Sequence, residues 1–214
     1  LFVLGLFIVK GPIKWALLAG TLFSILLSWG KNFMGLTDFF IDHVPMYNKF
    51  RAVSSILVVA EFCIPLLAAL ALKELVTKPE GLKNNKKPLY ISLALTGGIA
   101  FLFALAPKLF FPSYISTSEV QMFGQALPPE HLQPFMTNLT DMRVSLFTAD
   151  AWRSFLIVLI GGGAVWLFLD NKIKKEWLIA LVLVLCLVDM WGVNKRYLND
   201  GDFVPQTNQQ NMFA

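Results

Sequence analysis

Six apolar runs separated by polar linkers divide the chain, and each predicts a helix. Residues 1–9 are apolar from the first position, with no starting Met and no cap. Nine helical residues rise only about 14 Å, less than half of a ~30 Å hydrocarbon core. This run is expected to be the tail of a helix that begins before Leu1. A secretory signal fits poorly, because no basic stretch precedes the run and no small-residue cleavage site follows it. The other runs are residues 15–29, 52–72, 89–105, 155–169 and 177–191. Several fall short of the ~20 residues of a membrane span, so buried helices of a large soluble protein compete with spans.

Charge placement favours the membrane. The short linkers 10–14, 73–88 and 170–176 carry ten lysines and no arginine. The longer segments 30–51, 107–153 and 192–214 carry the other eight basic residues, including Arg51, Arg143, Arg153 and Arg196. By the positive-inside rule the short linkers belong to the cytoplasmic side. Tryptophan agrees. Trp15 and Trp29, Trp152 and Trp166, and Trp177 and Trp191 form pairs 14 residues apart, a helical rise of about 21 Å. Each lies close to a predicted boundary, where an indole has its ring in hydrocarbon and its N–H in water. Inside and outside linkers also alternate without conflict.

The expected fold class is an all-α, polytopic membrane bundle of about five full spans plus a truncated first helix, with a long irregular extracytoplasmic loop. Residues 1–192 form the membrane region, and 193–214 an extracytoplasmic segment leading to a further domain. Composition agrees: 56% of residues are hydrophobic and 15% charged, against about 25% charged in soluble domains. Cys63 and Cys186 lie in apolar runs and read as small buried hydrophobes, without disulfide or zinc spacing. A net charge of +4 without a basic block gives no reason to expect nucleic acid.

The segment 107–153 holds Pro112, Pro128, Pro129 and Pro134 among many Ser, Thr and Gln residues. Pro128-Pro129-Glu130-His131 predicts the start of a short helix, and residues 145–151 a short interfacial approach to the fifth span. Phe123, Leu127, Leu132, Phe135, Met136 and Phe147 need cover, which favours an ordered surface segment. Asp141 and Arg143 read as a surface pair. Gly97-Gly98 and Gly161-Gly162-Gly163 read as sites of close helix packing. His131, like His43, lacks a partner at ligand spacing.

Two places stand out as candidate chemistry. Asp38, Asp42, His43, Tyr47, Lys49 and Arg51 crowd into 14 residues beside a membrane boundary. Such a set suits an anionic headgroup and a divalent cation. The Arg51 guanidinium matches phosphate in two-pronged fashion, and an interfacial anchor reaching lipid phosphate is the other reading. Asp38 and Asp42 are one turn apart and predict a shared helical face, with a solvated or capping pair as the other reading. The second place is Glu61, near mid-membrane in the longest run, where an ionisable group is costly. Arg51, Ser54, Val58, Glu61, Pro65 and Ala68 fall on one helical stripe. Pro65 has no N–H, so the Glu61 carbonyl loses its helical donor. Two readings follow: an opening toward a polar cavity, or a protonated Glu bonded to a neighbouring helix.

Residues 29–33, 38–42 and 47–54, with Ile56 to Leu72 behind them and a second block at 189–200, resemble the YfhO family of bacterial membrane proteins, most closely its Bacteroidetes branch. The resemblance implies a glycosyltransferase-like fold of the C type in the bacterial cytoplasmic (inner) membrane. It implies a polyprenyl-phosphate sugar donor used at the outer face and a cell-envelope glycan acceptor. The loop that supplies the catalytic carboxylate in such proteins is expected before Leu1, so no catalytic residue carries over. A non-enzymatic transporter or flippase, and a membrane scaffold, are the other classes. In a background lacking both native cysteines, new cysteines at Asn85 and Asn171 should be shielded from an impermeant thiol reagent in intact spheroplasts, and those at Ser118 and Asn208 should react. The reverse labelling would invert the orientation.

Overall fold

The computed structural model describes residues 1–45, 53–197 and 201, and no strand occurs among them. The helices are α1 (Phe2–Ile8), α2 (Ile13–Ser28), α3 (Met34–His43), α4 (Val58–Thr77), α5 (Glu80–Asn84), α6 (Lys87–Leu93), α7 (Ile99–Leu105), α8 (Pro107–Phe110), α9 (Thr117–Ala126), α10 (Pro129–Leu169) and α11 (Lys175–Tyr197). The chain divides into two compact units, residues 1–162 and 163–214. Four segments are long and apolar enough to cross a membrane: Ser54–Thr77, Lys87–Leu105, Pro129–Leu169 and Lys175–Arg196. The protein is therefore an all-α bundle of the multi-span membrane type. α2 is apolar but has 16 residues, a rise of about 24 Å, and is shorter than those four.

The core of the first unit lies where α1, α2 and α4 meet. Val9, Leu17, Cys63, Leu67 and Ala71 are buried there, with Phe2, Leu6 and Leu70 packed around them. Small residues permit the close approach, as expected where lipid is no less apolar than leucine and packing supplies the attraction. A Cβ on Gly5 would lie 3.0 Å from Leu67 Cγ and 3.1 Å from the Leu67 carbonyl oxygen. Outward faces carry exposed Phe62, Val58, Leu95 and Leu102. A soluble domain rarely shows so continuous an apolar surface.

α6 and α7 form one continuous helix joined by a widened turn over Ala94–Gly98. Gly97 sits there against Val158 of α10, and Leu93 lies where a Cβ on Gly162 would fall. Gly97 and Gly162 thus serve close packing, as the sequence predicts, whereas Gly98 and Gly163 face open space. Cys63 is buried, but Cys186 is exposed on α11, a correction to its expected burial. The reason is visible along α11, where Trp177, Leu183, Leu187 and Trp191 are exposed as well.

The expected irregular loop is also corrected. Helix α10 starts at Pro129, as predicted, but runs without interruption to Leu169. A less exposed stripe, Leu132, Met136, Leu139, Arg143, Phe147 and Ala151, continues at helical spacing into the apolar run. Its polar residues are compatible with helix because Thr137, Thr140 and Thr148 each donate to the carbonyl four residues back. Residues 145–151 are therefore helix interior.

In the second unit α10 ends in a turn where Asn171 takes a φ of 58°. Lys172 N–H donates to the Leu167 carbonyl at 2.9 Å, closing the six-residue C-terminal cap. Only 6% of the most apolar 18-residue window of α11 is buried.

The α1–α4 contact yields a test. Gly5→Ala should lower stability by about 1–3 kcal/mol, the usual cost of overpacking. Combined with Leu67→Ala, which makes room, its additional cost should shrink. Thermal melting of the purified protein in detergent reads both, and equal cost in the two backgrounds would show that the helices are not in contact here.

Candidate functional site

α2 gives way at Trp29, and Gly30 takes a φ of 48°, open to glycine because it has no Cβ. A tight turn over Gly30–Phe33 leads into α3. Buried Thr37 fastens the two: its hydroxyl donates to the Gly30 carbonyl at 2.8 Å, with the Phe33 carbonyl 3.3 Å away. Phe40 then packs on Phe23 of α2, ring centroids 5.6 Å apart. α3 therefore doubles back beside the last turns of α2.

α3 carries three residues of the predicted cluster, Asp38, Asp42 and His43. The other three, Tyr47, Lys49 and Arg51, lie outside the described residues. Asp38 and Asp42 are exposed and one turn apart, so they share a face as predicted. His43 stands about 100° further round. Its ring stacks on Phe39 at 4.7 Å, and Nδ1 lies 3.0 Å from the Phe39 carbonyl. A carbonyl only accepts, so Nδ1 holds a proton, and Nε2 is the basic nitrogen of the neutral ring. The carboxylates share a face of α3, and the imidazole is held on Phe39. Among the described residues no three His, Cys, Asp or Glu side chains are grouped to hold a metal ion.

Glu61 lies in the first turn of α4, at the positive end of that helix. It is seven residues from Ser54, about 10 Å into the span and about one turn short of its centre. Glu61 is exposed, together with Ser54, Val58 and Pro65 of the predicted stripe. The opposite face, with Ala60, Cys63 and Leu67, is buried. Among the described residues the carboxylate has no hydrogen-bond or ion-pair partner, so the bond to a neighbouring helix is not found there. Position along α2 relates the two places. A Cβ on Gly20 would meet Cys63 Sγ at 3.3 Å and Val59 Cγ1 at 3.8 Å, which sets Glu61 level with Gly20. Phe40 is level with Phe23, three residues and about 4.5 Å away. The acidic turn of α3 and Glu61 thus sit at similar heights, below Trp29.

A polar cluster in 107–153 was not predicted. Arg143 donates to both carboxylate oxygens of Glu119, at 2.7 and 3.1 Å, and to the Tyr114 carbonyl at 2.6 Å. Glu119 also caps α9: it accepts from the Ser116 N–H at 2.9 Å, and the Ser116 hydroxyl accepts from the Glu119 N–H at 3.3 Å. The Arg143 bonds first, then the Ser116 N–H, hold the Glu119 carboxyl at about 2, below its ordinary 4.5. The expected Asp141–Arg143 pair is replaced, because residues two apart on a helix do not face each other. Asp141 instead meets Lys108 at 3.7 Å. Below the clasp, Phe147 packs against Phe103, Phe111 and Tyr114. The spacing Ser116-x-x-Glu119 signals the cap in the sequence, but nothing local signals Arg143. His131 pairs loosely with Glu130 at 3.8 Å.

No protein-family model matches the chain, and neither does any curated protein or solved structure.

The clasp predicts acid sensitivity. Because the folded carboxyl titrates below the unfolded one, its contribution is present above about pH 4.5 and is lost as pH falls toward 2. Limited proteolysis between residues 106 and 128 should therefore be slow at pH 7 and faster near pH 3, each rate read with a protease active at that pH and divided by its rate on an unstructured peptide of the same sequence. Glu119→Gln should be cleaved faster at pH 7 and show little further change with acid. A wild-type rate independent of pH would show that the ion pair does not hold α9.

Proposed function

We propose that this chain is the membrane-embedded part of a YfhO-like, C-type glycosyltransferase in the bacterial cytoplasmic membrane. On this reading it binds a polyprenyl-phosphate sugar at the outer face and passes the sugar to a cell-envelope glycan. The observation that carries the reading is the return of α3 beside α2. It sets Asp38, Asp42 and Glu61 at similar heights below the end of α2, and in sequence they flank the segment that contains Tyr47, Lys49 and Arg51. A sugar phosphate on a lipid carrier needs carboxylates for sugar hydroxyls, a cation for phosphate and apolar flanks for the chain. Arg51 is assigned the phosphate, with Lys49 adding charge and Tyr47 a hydroxyl. Arg143 is excluded from that role by its bonds to Glu119 and Tyr114. The catalytic base is assigned to none of these residues. An exposed Glu61 inside a span, with no partner among the described residues, also fits a flippase or transporter.

Arg51 separates a phosphate clamp from a simple anchor. An anchor requires only a long cation, whereas two parallel bonds to phosphate require the guanidinium plane. Binding of a polyprenyl-phosphate sugar to the full-length protein should weaken about ten- to a hundredfold in Arg51→Lys, the worth of one charge-assisted bond of roughly 1.5–3 kcal/mol. Arg51→Ala should bind no better than Arg51→Lys. Equal affinity for Arg, Lys and Ala would remove Arg51 from the site.

A further inference from the structure

The opposite end of α4 holds a cavity of about 270 Å³ in the first unit. Its inner wall is apolar: Leu75 is 1% exposed and Leu82 5%, and Ile8 lines it beside them. Its rim is polar and carries Lys10, Lys78, Glu74 and Asn85. The span in α4 ends at Thr77, the next begins at Lys87, and α1 ends at Ile8. The cavity therefore opens where three apolar helices reach the polar boundary, at headgroup depth.

We propose that this pocket binds the phosphodiester headgroup of an anionic phospholipid. The charge balance fits one such group. Lys78 and Glu74 pair at 3.5 Å and neutralise each other. Lys10 has no ion-pair partner among the described residues, so the rim keeps a single positive charge. A phosphodiester carries one negative charge. The linkers 10–14 and 73–88 hold seven lysines against two glutamates, and such a surface concentrates anionic lipid. The volume is just below the usual ~300–1,000 Å³ of small-molecule sites, which suits a headgroup and excludes a whole lipid. Phe7 lines the cavity and is also 48% exposed. The apolar wall thus continues onto the surface of α1, where acyl chains would lie. That continuity favours a lipid over a free phosphate.

Native mass spectrometry of the detergent-solubilised full-length protein tests this with three probes: dioleoylphosphatidylglycerol, dioleoylphosphatidylcholine and glycerol phosphate. The phosphatidylglycerol should be retained in preference to the phosphatidylcholine, and glycerol phosphate should not displace it at equal concentration. Lys10→Gln should weaken its binding about fivefold, which is roughly 1 kcal/mol for one lysine near a membrane surface. Lys10→Arg should keep it. Lys14→Gln is the control, because Lys14 shares the linker but lies over the Trp15 ring at 5.6 Å and does not line the cavity. Equal losses in Lys10→Gln and Lys14→Gln would mean diffuse surface charge and would overturn the site. Equal retention of the two lipids, or displacement by glycerol phosphate, would overturn the assignment to an anionic lipid.

Discussion

A peptide group inside hydrocarbon has no water to bond, so each N–H and C=O has to be satisfied by the chain itself. The local features of this protein follow from that requirement. Polar residues within the helices turn their hydroxyls inward: Thr21 donates to the Leu17 carbonyl, Ser92 to Pro88 and Thr96 to Ser92. The π-turn at Ala94–Gly98 shifts bonds without abandoning them, whereas Pro65 leaves the Glu61 carbonyl without its helical donor. Where the chain does leave the helix at Gly30, the carbonyl it frees is taken by Thr37. An irregular segment at such a place would have left it bare.

The same requirement separates what the sequence reveals from what it hides. Apolar runs and boundary tryptophans are legible because lipid exposure acts on each residue alone: Trp177 and Trp191 stand out whatever their neighbours are. The return of α3 was not legible, since it rests on Gly30, Thr37 and the contact of Phe40 with Phe23, none of which has a distinctive local pattern. Asp38 and Asp42 were read correctly as sharing a face because one helical turn fixes that relation. The contact of His43 with Phe39 has the same one-turn spacing, but a histidine beside two carboxylates drew the reading toward the charged cluster instead. In 129–153 the helical stripe was present in the sequence, but prolines and threonines pointed to irregular chain. Pro129 in fact starts the helix, and the threonines bond within it.

Exposure also means different things at the two ends of α4. Near Ser54 an exposed carboxylate, Glu61, lies among Val58, Phe62 and Pro65. A charge there is unfavourable in bare lipid, whereas the same face without Glu61 would need no further cover. Near Thr77 the exposed lysines meet water and headgroups and need none. α4 is thus uneven in what it asks of its surroundings: solvent suffices at one end, and at the other a polar neighbour or a ligand is required.

Arg143 and Gly162 lie on one uninterrupted helix, 19 residues apart, or about 29 Å. An α-helix resists twisting, so it acts as a drive shaft between the two. A rotation imposed by α9 through Glu119 would be carried along this helix toward Gly162, where Leu93 packs too closely for a Cβ. The orientation of a segment beyond the boundary and the meshing of α6 with α10 inside it would then share one shaft.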